Sequence, residues 1–278
     1  MNVLVTGSNG LLAPYIIKSL PSTNNITSCS KSNGLNQIDL TDFSLVKNFI
    51  NEVNPNVIIH CAALTDVEKA EKEPNIALIN NCHATKNLIK NISDQCHFIY
   101  ISTDQVYSKN PDLHVEGTEN PINIYGKTKW LGALEAKKHK KSTVIHTNMF
   151  GKSINNNRIS FTDNIINIIK NQDELNLFED AYFSPLHVED IAYYVNEIIL
   201  KKIYGTYNLG SRNGMSKKDF IIEMGKHLNL SLNKSNSIKS SKIKSRTNRT
   251  LDLRLNVSKI ENIMGLKMPN LIDSIKKL

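Results

Sequence analysis

Thr6-Gly7-Ser8-Asn9-Gly10-Leu11-Leu12-Ala13 is the stretch of this sequence whose residue types most directly imply chemistry. Gly7 and Gly10 permit a tight turn and let backbone come close to a bulky anion, and a helix opening directly after them offers free N–H groups and a partial positive charge. An apolar run, Val3-Leu4-Val5, precedes the turn and helical spacing follows it. That strand–turn–helix setting is the one in which residues 7 to 12 would hold the pyrophosphate of a dinucleotide. Ala13 stands where a third glycine often allows close helix–sheet packing, and a methyl group is tolerable there. An ordinary strand-to-helix turn would need only one glycine.

Sites that take NAD usually place Asp or Glu about 20 residues beyond the turn, on the ribose hydroxyls. Here the second strand ends in Cys29-Ser30-Lys31. With a hydroxyl and an ammonium to receive a 2′-phosphate and no carboxylate to repel it, NADP(H) is favoured, while NAD(H) stays open and Lys31 could be a plain loop charge. Further along, Ile101-Ser102-Thr103-Asp104 ends another apolar strand, at the carboxyl edge where open α/β sheets bind ligands. Tyr125-Gly126-Lys127-Thr128-Lys129 follows, and on a helix Tyr125 and Lys129, four apart, put a phenol and an ammonium on one face. Such a pair by itself is common in helices.

The elements that must position these groups alternate. Strands are expected at 2–6, 26–29, 57–59, 98–101 and 143–145, and helices at about 10–20, 43–53 (with Asp42 as N-cap), 76–92 and 125–140. Strands alternating with helices require right-handed crossovers and hence an α/β, Rossmann-type, doubly wound parallel sheet. Beyond Gly151 the alternation weakens: helices at about 161–170, 188–200 and 217–228, and strands at 175–178 and 207–209, suggest a smaller C-terminal lobe. The expected division is an NADP(H)-binding domain over 1–150, with return segments near 187–209, and a mainly substrate-binding lobe over 151–278. Residues 231–250 read as a mobile loop, followed by helical spacing at Ile260, Ile263 and Leu266.

The chain has 278 residues, 40% hydrophobic and 22% charged, ordinary values for a globular protein. Its net charge of +8 is local: Lys234, Lys239, Lys242, Lys244, Arg246 and Arg249 fall in one acid-free stretch, leaving +2 elsewhere. No aromatics interleave with them, so a solvated loop or a wall facing a small anion fits better than nucleic acid. Cys29, Cys61, Cys82 and Cys96 lack metal-ligand spacing and read as buried thiols, and the eight histidines read as structural, with no metal site. The absence of a leader-like or membrane-length apolar run suggests a cytoplasmic protein. Helix 188–200 is apolar around much of its surface, which is compatible with a homodimer face and equally with burial in its own core.

Taken together, the turn and the Tyr–Lys pair resemble the short-chain dehydrogenase/reductase family, in its extended branch, and most closely the dTDP-4-dehydrorhamnose reductases. The resemblance also runs through Asp39-Leu40, Cys61 to Thr65, Val67 to Glu71, Asn81 with Ala84-Thr85 and Asn87-Leu88, Ser184-Pro185 and Arg254. It implies NADPH-dependent reduction of a 4-keto group on a nucleotide-linked deoxysugar. Tyr125 would be the general acid, Lys129 would lower its pKa and bind the nicotinamide ribose, and Thr103 would hydrogen-bond the substrate oxygen. The same resemblance puts Asp39 and Leu40 beside the adenine, Cys61, Ala62, Ala63 and Asn81 along the cofactor, and Thr65, Asp104, Asn148 and Met149 beside the substrate.

The pattern departs in places. The family's Arg-Thr-Ser-Trp-like segment is His146-Thr147-Asn148-Met149, so its aromatic platform for the sugar is altered, and His146 and His187 border segments expected near the sugar. A 4,6-dehydratase needs an Asp–Glu pair where this chain has Asp104-Gln105, and an amide cannot serve as that base. A nucleotide-sugar epimerase stays open, as does a non-catalytic binding role like that of the regulatory β-subunit of methionine adenosyltransferase.

Overall fold

The computed structural model describes the whole chain except Asn33, Leu35, Pro111 and residues 244–246, so Lys244 and Arg246 of the basic stretch lie outside the described residues. Strands β1 (Asn2–Thr6), β2 (Asn25–Cys29), β3 (Val57–His60), β4 (His97–Ile101) and β5 (Ser142–Thr147) join with Gly205–Leu209 in a six-stranded sheet. Its order is Gly205–Leu209, β5, β4, β3, β1, β2, and every pairing is parallel.

The apolar runs are strands because both faces of the sheet are covered. Val3, Val5, Ile59, Ile99 and Ile145 pack on one side with helix α1 (Leu12–Ser19), while Leu4, Ile58, Phe98, Tyr100 and Val144 pack on the other with α2 (Phe43–Val53). Alternate side chains of one strand thus enter two separate cores, the period-2 signature of a pleated strand. The Asp42 carboxylate accepts from the N–H groups of Ser44 and Leu45 and starts α2 where expected. From β1 the chain crosses to β2 on one side and later to β3 on the other. The carboxyl ends of β1 and β3 therefore flank a topological switch point, where ligands enter open α/β sheets.

The chain between β3 and β4 is less regular than its spacing predicts. It forms α3 (Val67–Lys72), α4 (Pro74–Leu78), a π-helical turn at Ile79–His83, and α5 (Ala84–Ile89). Sequence periodicity missed α3 because it buries only Ala70; Asp66, accepting from the Lys69 N–H, was its available signal. Helix α6 (Ile124–Ala136) carries Tyr125 in its first turn, and both Asn123, accepting from Gly126 N at 2.8 Å, and Glu71, accepting from Ile124 N at 2.8 Å, cap it.

Helix Val188–Leu200 packs on α1 and buries Val188, Ile191, Val195 and Ile198, so most of its apolar surface is spent within the chain. The 231–250 stretch is not simply a loop. Ser235–Ile238 pairs in parallel with Leu175–Phe178, backbone pairing that its Ser, Asn and Lys content concealed. A closing helix, Leu271–Ile275, was also not foreseen. Among the described residues no helix is long and apolar enough to cross a membrane, and no cluster of His, Cys, Asp or Glu could hold a metal ion.

Candidate active site

A cavity of about 510 Å³ runs along the carboxyl edge of the sheet, within the size range of small-molecule sites. Its walls include Gly7, Asn9, Gly10, Leu11 and Leu12 from the first turn, Ser30 and Lys31 after β2, and Asp39 and Leu40. Cys61, Ala62, Ala63 and Thr65 after β3, with Tyr125, Lys129 and Met149, complete it. Segments far apart in the sequence converge on a single cleft.

Gly7 adopts a left-handed conformation (φ +72°), and a Cβ there would stand 2.7 Å from the Ala62 nitrogen, so the turn presses against the chain leaving β3. The Gly10 N–H donates to the Gly7 carbonyl at 2.8 Å, and no acidic residue occupies the first turn of α1, whose N–H groups face this end of the cleft. Gly7→Ala is expected to lose about 1 to 3 kcal/mol through strain. The readout is a melting temperature lower by several degrees; an unchanged melting curve would mean that the turn relaxes freely.

At the β2 end, Lys31 Nζ lies 2.9 Å from an Asp39 carboxylate oxygen. Burial alone would raise the Asp39 pKa, but hydrogen bonds from Lys31 and Thr41 hold it below its ordinary value. The expectation of a carboxylate-free 2′-phosphate site thus needs amendment: no acid follows β2 directly, but folding brings Asp39 alongside Lys31.

At the other end, Lys129 is wholly enclosed, its Nζ donating to the Ile101 carbonyl at 2.7 Å and lying 4.2 Å from the centre of the Tyr100 ring. Burial pulls its pKa down to about 7. Burial likewise pushes Tyr125 up to about 12; the hydrogen-bonded Thr103 hydroxyl lowers it and the Asp104 charge raises it further. The lowering that sequence reasoning assigned to Lys129 does not prevail here. Desolvation of the phenolate dominates, and the group that pulls the Tyr125 pKa down is the Thr103 hydroxyl, not Lys129.

Thr103 is tied in turn to Asp104, donating to Oδ1 at 3.2 Å, and Asn148 Nδ2 donates to the other oxygen at 2.6 Å. Burial raises the Asp104 pKa against the pull of Asn148, Lys217 and Thr103. Beyond this group lies a second cavity of about 260 Å³, walled by Gln105, Asn148, Lys217, Asn248 and Arg249 among others. Asn148 thus lines this second cleft, rich in basic and amide groups, whereas Thr103 and Asp104, expected at the site, are buried and line neither cleft.

Not every expected residue reaches a wall. Asn81 is buried behind the first cleft: its Oδ1 accepts from Leu64 N at 2.8 Å and its Nδ2 donates to Leu64 O and Thr128 Oγ1. It sits in the π-helical turn and spends its amide holding the Ala63–Thr65 wall in place. Ser8 borders a neighbouring opening, and Thr65 lies on the first cleft rather than the second. His146 is enclosed with Glu119 at 3.0 Å, and His187 packs against Phe150 and Tyr15; neither lines either cleft. Lys217 and Arg158 went unnoticed because nothing in their own segments marks them; Arg249, from the basic stretch read as a solvated loop or a wall facing a small anion, does line the second cleft.

Comparison with known proteins agrees with this geometry. A dTDP-4-dehydrorhamnose reductase of Shigella flexneri is 25% identical over 293 residues, covering 100% of this chain and 97% of that protein. Methionine adenosyltransferase 2 subunit beta of Bos taurus is 27% identical, covering 96% of this chain and 84% of that protein. Among solved structures, a dTDP-4-dehydrorhamnose reductase of Bacillus anthracis in complex with NADP superposes with a TM-score of 0.91 at 26% identity, covering 99% of this chain and 97% of that one. The family profile described as the RmlD substrate binding domain matches residues 1–278. With the profile spanning the whole sequence and the fold and cleft arranged as above, this chain belongs to the RmlD substrate binding domain family.

Proposed function

We propose that the protein is an NADPH-dependent reductase of the extended short-chain dehydrogenase/reductase class, acting on the 4-keto group of a nucleotide-linked deoxysugar. The observation that carries this is that Tyr125 and Lys129, with Thr103 buried behind the phenol and hydrogen-bonded to it, share one cleft with the Gly7–Gly10 turn. The cleft fits a dinucleotide: it is long, passes the open amino end of α1, and carries no acidic residue at that helix's first turn. Gly7, Asn9, Gly10, Leu11 and Leu12 would hold the diphosphate, Ser30, Lys31, Asp39 and Leu40 the adenosine end, and Cys61, Ala62 and Ala63 the length of the molecule. When bound, the reduced nicotinamide supplies the hydride that the keto carbon accepts.

The remaining work falls to the protein. Tyr125, held as a neutral phenol by burial, carries the proton that the developing alkoxide needs, and Thr103 is placed to hydrogen-bond the same oxygen. Once the proton leaves, Lys129 is the enclosed cation that offsets the phenolate charge; that charge in turn favours the ammonium over the neutral amine. Asp104, itself held by Asn148, positions Thr103; Asn148 lines the second cleft, where the sugar would lie, while Met149 stands in the wall of the first cleft in place of an aromatic platform. In this reading residues 1–150, with the return segments near 187–209, bind the cofactor, and 151–278 mainly bind the nucleotide-sugar.

The direct test offers the purified protein NADPH with a panel of nucleotide-linked 4-keto-sugars and follows absorbance at the nicotinamide band. Substrate-dependent loss of NADPH is expected. Binding of NADP(H) with no turnover on any member would instead support the second reading, a regulatory binding subunit. That reading is favoured by the 27% identity to a methionine adenosyltransferase subunit beta.

A further inference from the structure

Arg158 lies far along the chain from the Gly-rich turn, in the loop between Gly151 and helix Phe161–Lys170, yet it forms part of the wall of the dinucleotide cleft. It also borders a second, open pocket of about 440 Å³ on the outer side of the turn, together with Ser8, Asn9, Ser32, Asn155 and Asn157. The loop is held against the turn from two sides. Asn155 Nδ2 donates to the Asn9 carbonyl at 3.4 Å, and the Tyr15 hydroxyl, on α1, donates to the Lys152 carbonyl at 2.8 Å. Arg158 is therefore anchored beside the cleft by its neighbours, while its own side chain stays exposed.

Its charge is also unspent. Among the described residues, the Arg158 guanidinium meets no carboxylate or carbonyl, and only its backbone N–H is bonded. Lys31 is different: it is paired with Asp39 at 2.9 Å, so the two together bring no net charge to an approaching anion. A phosphate monoester carries about −1.5 to −2 at neutral pH. Near Lys31 it would meet a carboxylate as well as an ammonium, whereas near Arg158 it would meet an uncompensated planar cation suited to bidentate phosphate contact.

Position distinguishes the phosphate concerned. In a strand–turn–helix dinucleotide site the diphosphate belongs at the helix amino end, here Gly10 to Leu12, and the adenosine ribose belongs at the end of the second strand, here Ser30 to Ser32. The pocket shared by Ser8, Asn9, Ser32 and Arg158 lies on the ribose side, and Asn9 in its wall donates through Nδ2 to the hydroxyl of Ser30, which lines the adjoining first cleft, at 3.1 Å. We propose that Arg158, rather than Lys31, is the main charge partner of the cofactor's 2′-phosphate and so decides the preference for NADP(H) over NAD(H). This inference rests on the dinucleotide reading above.

Calorimetric titration of the full chain with NADP⁺, NAD⁺, 2′,5′-ADP and 5′-ADP tests it without turnover. Arg158→Ala is expected to weaken NADP⁺ and 2′,5′-ADP by about tenfold or more, the scale of a lost charge-assisted hydrogen bond, and to leave NAD⁺ and 5′-ADP essentially unchanged. Arg158→Lys should restore part of the loss, and Lys31→Ala should weaken NADP⁺ less than Arg158→Ala does. Equal weakening of NADP⁺ and NAD⁺ would assign Arg158 to the shared diphosphate and overturn the proposal. Unchanged NADP⁺ affinity, or a larger effect from Lys31→Ala, would overturn it as well. If the unaltered protein bound neither dinucleotide, the cofactor reading itself would fail and this inference with it; in every other case only the role of Arg158 is at stake.

Discussion

Replacing Tyr125 by Phe is expected to lower kcat for keto-sugar reduction by a factor of about 10² to 10⁴, the range for lost general acid–base catalysis, while NADPH affinity stays close to that of the unaltered protein. The substitution isolates chemistry from structure. The Tyr125 ring packs against Ala70 and Ala77 with Leu64, Val67 and Ile124 around them, and Phe fills the same space. Only the hydroxyl is lost, and with it the hydrogen bond to Thr103. Because burial holds the phenol near 12, well above the solution value of about 10, its proton is present throughout the neutral range. Single-turnover and steady-state rates, together with NADPH fluorescence titration, measure both halves. Full turnover in the variant would remove Tyr125 from the mechanism and leave water or another acid as the donor.

Lys129→Met should lower kcat by about 10² or more and, independently of activity, change how stability depends on pH. The ammonium is enclosed against the Ile101 carbonyl and the Tyr100 ring, and its pKa falls to about 7 when the chain folds, against about 10.4 for an unfolded lysine. Between those values the unfolded chain binds more protons than the native one, so native stability rises with pH from about 7 towards 10.4. The cost of enclosing the charge is full below pH 7. Methionine carries no such penalty, so the variant should gain on the unaltered protein most at pH 6 and least near pH 10. The orphaned Ile101 carbonyl would cost about 1 to 3 kcal/mol at every pH, which shifts the level but not the slope. Denaturant midpoints of cofactor-free protein at pH 6, 8 and 10 provide the measurement. A stability difference that does not vary with pH would show that Lys129 keeps an ordinary pKa.

Much of this site was legible before folding was considered. Val3-Leu4-Val5 with Gly7 and Gly10 announced a strand, a turn and a helix amino end, since each of these is a local preference of backbone and side chain. Tyr125 and Lys129 share a face by helical geometry alone, and the structure places both on one cleft. Where sequence reasoning fell short, the missing information was long-range. The Lys31–Asp39 pair is a contact across a loop. The role of Asn81 as a brace behind the wall depends on a π-helical turn that interrupts an otherwise regular apolar spacing.

The sequence by itself thus determined the alternation of strands and helices, the location of the turn and the Tyr–Lys pair, because these follow from periodicity and local steric preference within short windows. Tertiary structure alone decided which side chains are charged neighbours and which are desolvated. It enclosed Lys129 and Tyr125 so that burial moved their pKa values in opposite directions, and it carried Arg158, Lys217 and Arg249 to cavity walls far from where their segments begin. Desolvation and Coulomb interactions depend on distances through space, and a linear order of residues does not contain those distances until the sheet has formed.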